Sequence, residues 1–452
     1  MPEKSKNEQS EFMIEKIKER PVNRKKLLRR TVITVALAIV FGLVACFTFL
    51  VLEPIISNWL YPEEEPQIVL FPEDQEEMSP EEMLSDTMQS MQNLQNAQNA
   101  QDKAEEQEPT SVTIEKEQVD EILDSVKLDL DNYKELYASL LSYVKELEAS
   151  MVTITGTSSD VDWLNTVTES SNQSSGVIIA NNGKELLILT DYGAIKKAQK
   201  LVVTFCNSVQ ADAHIKQYDE NTDLTILAVE LSGVTKDVLS KIKIVSLGSS
   251  NSKNMVGMPV VALGNPMGTS GSMVYGIIAG ESSQTMVDSR YKILQTDIYG
   301  SQKAGGMLFN LYGQLVGVIT ESGSDMKNLI VAYGISDLRK LIEKMSNGVA
   351  VPYLGIEGMD VSKEANAELQ VPFGAYVKEI AKDSPAMLGG IQQGDIIVSI
   401  DDVAVESFSD YITILMGEKA GADIDLVLMR QSQEEYKEMT LTITLGESGK
   451  EE

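Results

Sequence analysis

The hydrophobic and polar positions of the 452-residue chain follow four patterns in succession. Residues 31–52 are almost entirely apolar, residues 53–114 are polar and acidic, and residues 115–150 carry apolar side chains at three- and four-residue steps. From residue 151 onward, short apolar runs alternate with Gly, Asn, Asp and Ser. This order predicts an apolar helix, a linker and an amphipathic helix, followed by mainly β structure.

The apolar stretch 31–52 contains no charged residue and is long enough to cross about 30 Å of hydrocarbon as a helix. Basic residues crowd the end of the preceding tail, residues 1–30. The positive-inside rule therefore predicts a single-pass plasma-membrane anchor with a cytoplasmic N-terminus and extracytoplasmic C-terminal domains. A cleavable signal peptide is the alternative, but its apolar region is shorter, about 7–15 residues, and ends in a small-residue cleavage site.

The stretch 53–114 is rich in Glu, Gln, Asn, Met and Pro. Such a composition buries too little apolar area to offset the entropy of ordering, so it predicts a disordered acidic linker. The amphipathic stretch 115–150 suits two arrangements. It is either a coiled-coil stem that joins several chains or a helix that packs on its own domain, and the sequence leaves both open.

Charge and composition exclude several classes of function. A net charge of −30 argues against a nucleic-acid partner, because a phosphate backbone needs Lys and Arg to neutralise it. With no His or Cys cluster and no phosphate-cradling glycine loop followed by Lys, the sequence predicts no metal site and no cofactor. The two cysteines, Cys46 and Cys206, are not expected to form a disulfide, and Cys206 is predicted to be a small buried hydrophobe in a strand.

Four motifs follow one another within residues 151–348. They read S-G-V-I-I at Ser175–Ile179, D-E-N-T-D-L at Asp219–Leu224, A-L-G-N-P-M-G at Ala262–Gly268 and G-Q-L-V-G-V at Gly313–Val318. In type and order they resemble the HtrA family of chymotrypsin-like serine proteases. The resemblance implies a trypsin-like domain over 151–348, built as a chymotrypsin-like double β-barrel.

Hydrolysis of a peptide by this fold needs a serine nucleophile, a histidine base and a carboxylate that orients the base. The resemblance places Asp223 at the acid position, in the T-D-L motif. It places Gly193 at the histidine position, in L-T-D-Y-G-A-I, and Ala304 at the serine position, directly before two glycines. Neither Gly193 nor Ala304 carries the group that the chemistry requires. The sequence therefore predicts a catalytically degenerate member, a pseudoprotease.

Other residues offer alternative chemistry. His214, the one histidine of the chain, stands only nine residues before Asp223, so it is predicted to be a surface or strand histidine and not the base. Ser301 and Lys303 would form a dyad only if the lysine amine were desolvated and deprotonated, which a polar glycine-rich loop rarely provides. If one of these alternatives held, the chain would be an active HtrA-like endopeptidase that degrades misfolded envelope proteins.

Residues 349–446 form a second module, followed by a short tail, 447–452. Its Y-L-G-I segment and its G-G-I-Q-Q-G-D-I-I-V-S-I segment resemble the PDZ domain that follows the protease domain in HtrA proteins. PDZ domains add an extended peptide to a sheet edge and hold its C-terminal carboxylate in a backbone loop. The groove helix is expected at about Phe408 to Met416, and Asp395 is expected to be structural. The resemblance places the carboxylate loop at Tyr353, Leu354, Gly355 and Ile356.

The sequence therefore favours a membrane-anchored pseudoprotease whose PDZ domain binds polypeptide segments or protein C-termini. Its expected role is that of a scaffold, an adaptor or a chaperone-like factor in envelope protein quality control. The family resemblance also implies a homotrimer. The competing hypotheses are the active endopeptidase and a structural envelope protein whose PDZ groove has lost ligand binding.

Overall fold

The structure, a computed structural model, describes residues 28–29, 32–44, 47–48, 66–72, 130–161, 167–252, 254–301, 303–320, 328–432 and 435–448. Residues 32–44 are helical and belong to a unit of their own, Met1–Glu65, while the remainder forms the unit Pro66–Glu452. Among the described residues, no helix combines the length and the apolar character needed to span a membrane. Most of the predicted tail and linker, part of the apolar stretch 31–52 and residues 115–129 lie outside the described residues.

Six strands close the first barrel, in the order β1-β2-β3-β6-β5-β4. The strands are Met151–Val161 (β1), Val167–Asn181 (β2), Glu185–Asp191 (β3), Lys200–Thr204 (β4), Gln210–Asp219 (β5) and Leu224–Glu230 (β6). β3 reads as a continuous apolar run because both of its faces are covered. Leu186 and Ile188 enter the core of this barrel, whereas Leu187 and Leu189 enter a core shared with the second barrel.

A 3₁₀ turn (Leu231–Gly233) and helix α2 (Lys236–Lys241) lead into the second barrel. Its sheet runs β11-β8-β9-β10-β13-β12-β7, and a pairing of β11 with β12 closes the ring. The strands are Ser246–Leu247 (β7), Pro259–Asn265 (β8), Ser272–Met286 (β9), Ser289–Tyr299 (β10), Gly305–Asn310 (β11), Gln314–Thr320 (β12) and Leu329–Gly334 (β13). Helix α3 (Ile335–Ser346) then buries Leu338 and Ile342 in the shared core.

Helix α1 (Leu130–Glu148) precedes the barrels and is the described part of the predicted amphipathic stretch. Val144 and Leu147 are buried in the shared core, and the backbone N–H of Gly313 donates to the Tyr143 hydroxyl at 3.0 Å. Leu130 and Leu136, in the first half of the helix, remain exposed. The second half therefore packs on its own domain, the second of the two arrangements that the sequence left open.

Residues 66–72 depart from the predicted disordered linker. The side-chain amide of Asn347 makes two hydrogen bonds with Val69, accepting from its N–H at 2.9 Å and donating to its carbonyl at 2.8 Å. The N–H of Gln67 donates to the Asn182 carbonyl at 2.8 Å, and Val69 is buried in the shared core. This P-Q-I-V-L-F-P stretch is a short apolar island, and the acidic composition of its surroundings conceals it.

The PDZ module contains a six-stranded sheet. Five strands follow one another in the order β15-β16-β17-β19-β20, and the sixth, β18, pairs with β17, while β14 pairs separately with β21. The strands are Pro352–Tyr353 (β14), Ile356–Asp360 (β15), Ala375–Ile380 (β16), Ile396–Ile400 (β17), Val403–Ala404 (β18), Asp423–Ser432 (β19), Glu435–Thr444 (β20) and Gly446–Glu447 (β21). The helices are Lys363–Leu369 (α4), Pro385–Leu388 (α5) and Phe408–Leu415 (α6).

A serine begins each helix of this module by accepting a backbone N–H three residues later. Ser362 caps α4, Ser384 caps α5 and Ser407 caps α6. The cap at Ser407 explains why the groove helix begins at Phe408, as the sequence predicts. Phe408 and Tyr411 of this helix are fully buried in the PDZ core.

Candidate functional site

The predicted acid and base positions meet at the end of β3. The last pair of the β3–β6 ladder joins Asp191 to Leu224, and the N–H of Tyr192 donates to the Asp223 carbonyl at 2.7 Å. A Cβ atom built on Gly193 would lie only 2.3 Å from Oδ2 of Asp223. The Asp223 carboxylate therefore fills the space that a side chain at position 193 would need.

The turn around Gly193 is held by its own polar groups. Oδ1 of Asp191 accepts the N–H of Ala194 at 3.0 Å, and the N–H of Ile195 donates to the Tyr192 carbonyl at 2.9 Å. Asp223 adopts a left-handed φ of 56°, which a short polar side chain tolerates better than most. The site thus presents carboxylates beside a glycine, with no imidazole to accept a proton.

The environment of Tyr192 reflects this acidic setting. Its ring stacks on that of Tyr218, with 4.3 Å between the centroids and 8° between the planes. Burial raises the pKa of Tyr192, and the neighbouring Tyr218, Glu220 and Asp223 raise it further. This phenol is therefore harder to deprotonate than an exposed tyrosine.

His214 lies on β5 opposite Ala228 of β6. Five residues of strand, about 16 Å, separate that register position from Asp223. The His214 side chain is 56% exposed, and its Nε2 lies 3.7 Å from Oε1 of Glu185. The geometry agrees with the prediction of a surface strand histidine.

Ala304 belongs to the loop that joins β10 to β11 on the second barrel. Its N–H donates to the Ser301 carbonyl at 3.0 Å, and its methyl group packs against the apolar core that contains Leu308 and Ile330. Gly193 and Asp223 lie on the first barrel. The structure therefore brings two of the three predicted positions into contact and places Ala304 against the core of the other barrel.

Ser301 and Lys303, the alternative catalytic pair, lie in the same loop between β10 and β11. Oγ of Ser301 accepts the N–H of Lys303 at 3.2 Å, so the serine oxygen is used in the turn itself. Lys303 is exposed, whereas a lysine base needs burial to lose its proton. The geometry does not favour the dyad.

The loop predicted to bind a peptide carboxylate already holds a carboxylate of the chain itself. Asp288, in the turn between β9 and β10, directs Oδ2 to the N–H groups of Leu354 and Gly355, at 2.7 and 2.6 Å. Its Oδ1 accepts the N–H of Ile356 at 2.9 Å and the hydroxyl of Tyr411 at 2.5 Å. The three predicted amide donors of the PDZ loop therefore converge on one side chain.

Asp288 was not among the site residues predicted from the sequence. The residue stands in a short M-V-D-S-R turn, and nothing in that turn indicates that it faces another domain. Burial raises the pKa of Asp288, while the hydrogen bonds from Tyr411 and the loop amides oppose this shift. Tyr353, the first residue of the predicted loop, lies in β14 opposite Gly446.

A second contact holds the same hairpin against the PDZ groove. Nη1 of Arg290 lies 2.7 Å from Oδ2 of Asp360 at the end of β15, and its guanidinium carbon lies 5.3 Å from the centre of the Phe408 ring. Oδ1 of Asp360 accepts the N–H of Phe408 at 2.8 Å. The hairpin thus touches both walls of the groove, strand β15 and helix α6. A cavity of about 750 Å³ lies beside this contact.

The prediction that Cys206 is buried is wrong. Strand β4 ends at Thr204. Phe205 is the last buried side chain of this segment, and Cys206 is exposed in the turn that follows. Within the described part of the chain, no group of His, Cys, Asp and Glu residues is arranged to hold a metal ion.

Known proteins resemble the chain in the same two parts. Residues 174–318 match the model of the trypsin-like peptidase domain, and residues 352–445 match that of the PDZ domain. The serine protease Do-like HtrB of Bacillus subtilis (strain 168) is 33% identical over 292 residues, which cover 59% of this chain and 62% of that protein. A probable periplasmic serine endoprotease DegP-like of Pseudomonas fulva (strain 12-X) is 29% identical over 290 residues, covering 62% and 56%. The chain thus spans less than two thirds of the length of either relative.

A solved structure confirms the fold. The HtrA-type protease AlgW with decapeptide superimposes with a TM-score of 0.51 at 20% identity, covering 68% of this chain and 98% of that one. The predicted double β-barrel followed by a PDZ domain is therefore confirmed. The two domain matches, their order and the relatives agree with the resemblance drawn from the motifs. The chain belongs to the HtrA family.

Proposed function

We propose that this protein is a membrane-anchored, extracytoplasmic pseudoprotease that binds polypeptides through its PDZ domain. The observation that carries the proposal is the contact of Gly193 with Asp223, because the acid occupies the place of the missing base. The periplasmic location in the name of the DegP-like relative supports an extracytoplasmic site of action. An adaptor, scaffold or chaperone-like role in envelope quality control follows from binding without cleavage.

The loss of hydrolysis rests on two separate defects. Gly193 supplies no imidazole, and Ala304 supplies no oxygen to attack a peptide bond. Removing the serine or the histidine alone costs a triad protease about 10⁶ in kcat, because the triad residues act as a unit. A substitution at one position would therefore not restore the reaction.

We expect the purified full-length protein to leave unfolded casein intact over hours at 37 °C, as followed by gel electrophoresis and by release of labelled fragments. The matched control is Ser301→Ala, which removes the remaining hydroxyl of the loop. Cleavage that disappears in Ser301→Ala would establish the alternative, an active endopeptidase. Cleavage that is identical in both proteins belongs to a contaminating protease.

Peptide capture by the PDZ loop depends on its backbone. Gly355 has a left-handed φ of 95°, and a Cβ atom built on it would lie 2.2 Å from the Cβ of Ser384. A side chain here would push the loop away from Ser384 and misalign the amide donors of Leu354 and Ile356. Gly390, also at a left-handed φ of 87°, has no atom within 4 Å of its Cβ position and provides the matched control.

We expect Gly355→Ala to weaken binding of peptides with a free C-terminal carboxylate by at least about tenfold, since the charge-assisted hydrogen bonds to the loop are each worth about 1.5–3 kcal/mol. Gly390→Ala should bind like the native protein. Fluorescence anisotropy with a C-terminal peptide library, and with the same peptides amidated, measures both effects. Equal affinity for free and amidated peptides would contradict carboxylate capture, and no binding at all would favour a structural protein with a silent groove.

The predicted homotrimer remains part of this proposal. The exposed apolar side chains in the first half of helix α1, among them Leu130, Tyr133 and Leu136, support an association of chains beside the membrane.

A further inference from the structure

The carboxylate loop of the PDZ domain accommodates one carboxylate at a time. The N–H groups of Leu354, Gly355 and Ile356 donate to Asp288 at 2.6–2.9 Å, and all three donors are buried with their acceptor. A peptide C-terminus held by this loop would need the same three donors. The two carboxylates therefore compete for the site.

The turn that carries Asp288 resembles a bound peptide in its main-chain hydrogen bonding as well as in its carboxylate. The backbone N–H of Asp288 donates to the Ile356 carbonyl at 2.7 Å, so the turn also hydrogen-bonds to the edge of β15 through its main chain. A bound peptide combines the same two elements, a carboxylate in the loop and main-chain hydrogen bonds to the sheet edge. Asp288 reaches the loop from 66 residues earlier in the chain, from the hairpin of another domain.

We propose that the β9–β10 turn is an internal ligand of the PDZ domain, and that a polypeptide with a free C-terminal carboxylate must displace Asp288 to bind. This inference rests on the proposed function, peptide capture by the loop. It adds that the groove of the native protein is gated by its own barrel.

The anchoring of Arg290 makes the gate a two-point contact. Its ion pair with Asp360 and its position over Phe408 lie along the groove next to the loop. A peptide that only offers a carboxylate competes with Asp288 but leaves Arg290 in place. A peptide that also lies along β15 and α6 competes with both. The gate therefore selects for extended C-terminal segments over isolated carboxylates.

Displacement of the β9–β10 turn from the PDZ loop would affect the second barrel through strand β10. Tyr291, three residues after Asp288, is buried in the shared core, and the N–H of Lys292 donates to Oδ2 of Asp337 in α3 at 2.6 Å. The hairpin that closes the groove is thus continuous with the packing between the barrels and α3. Peptide binding would alter the surroundings of these residues.

The probe for the test is the fluorescein-labelled pentapeptide Q-T-M-V-D, residues 284–288 of this chain, with a free C-terminus. The apparent Kd equals the intrinsic Kd divided by the fraction of open groove, so an open fraction of about one tenth weakens binding about tenfold. We expect Asp288→Asn in the full-length protein to tighten binding by at least that factor. Asparagine tolerates the left-handed φ of 52° at this position and keeps the shape of the side chain.

Asp402→Ala is the matched control, because Asp402 is an exposed aspartate at a left-handed φ of 63° in the same module. It should leave the affinity unchanged. Adding Gly355→Ala to Asp288→Asn should abolish the gain, which shows that the probe uses the loop. Asp288→Ala provides a second open variant, and a circular-dichroism melt of each protein checks that it is folded.

The outcomes separate the two proposals. Equal, measurable affinity in the native protein and in both Asp288 variants would overturn the gate and leave peptide capture standing. No binding to any folded variant would overturn peptide capture, and the gate with it.

Discussion

Replacing Gly306 by alanine is expected to lower the free energy of unfolding by about 4 kcal/mol, the sum of backbone strain and overpacking of about 1–3 kcal/mol each. Gly306 has a φ of 119°, and a Cβ atom built on it would lie 2.2 Å from the Leu263 carbonyl oxygen. That oxygen belongs to β8, whose Gly264 stands opposite Gly306 in the ladder. Because the obstacle is backbone, a side-chain rotation cannot relieve it.

Gly271→Ala is the control, since Gly271 also has a left-handed φ of 77° but no atom within 4 Å of its Cβ position. It should cost only about 1 kcal/mol. Urea unfolding followed by circular dichroism, with hydrogen exchange of the β11 amides as a local reporter, measures both variants. Equal losses would mean that conformational strain alone, and not the close approach to β8, constrains Gly306.

The position of Gly306 also bears on function, because it is the second of the two glycines that follow Ala304. In the HtrA motif that the sequence resembles, the paired glycines follow the nucleophilic serine, whereas in this chain they follow Ala304. The contact of Gly306 with β8 accounts for a glycine at this position without reference to catalysis. The barrel fold therefore requires a glycine at position 306 whether or not the protein is catalytically active.

Removing the guanidinium of Arg430 is expected to destabilise the PDZ module by about 3 kcal/mol, the cost of leaving a buried charge unpaired. Nε and Nη2 of Arg430 donate to the two oxygens of Asp395, at 2.7 and 2.6 Å. The Asp395 side chain is 1% exposed, and its other described hydrogen bond is from the N–H of Gln392, at 2.8 Å. In Arg430→Ala the carboxylate would remain buried without its counter-charge.

The pair of Lys378 and Glu357 provides the comparison, because its 3.0 Å contact lies at the surface, with the lysine side chain 49% exposed. Lys378→Ala should leave the free energy of unfolding almost unchanged, since water screens such a pair. Thermal unfolding of the full-length variants, with exchange of the β17 and β19 amides, distinguishes the two. A loss in Arg430→Ala no larger than that in Lys378→Ala would show that Asp395 is rescued by water.

Local patterns predicted much of the architecture for identifiable reasons. β3 and β6 read as apolar runs because alternate side chains enter two cores. Helix α6 begins where Ser407 offers a cap, and Asp395 proved structural, as expected. The turn motifs that hold Gly193 and Asp223 are local too, so a sequence match was sufficient to bring them to one place.

Two other expectations were wrong because they rested on the average composition of a stretch or on an approximate strand boundary. The composition of the linker concealed residues 66–72, in which one buried valine and the Asn347 amide provide the anchorage. Cys206 was assigned to a strand that ends at Thr204, and it follows directly after Phe205, the last buried side chain of the alternation. Because successive side chains of an extended chain point to opposite faces, the residue after Phe205 faces the solvent.

The sequence by itself determined the family and the order of the two domains. It predicted, from the motif match, a glycine and an alanine at the positions of the catalytic histidine and serine. It also predicted the carboxylate loop of the PDZ domain at Tyr353, Leu354, Gly355 and Ile356, because that loop depends on a glycine and a local turn. Only the tertiary structure decided what the loop holds. Asp288 contributes a carboxylate from a hairpin 66 residues away, and no local pattern encodes which surface a turn will meet when two domains pack. The sequence predicted the backbone N–H donors of the loop, but it did not predict Asp288 as their acceptor.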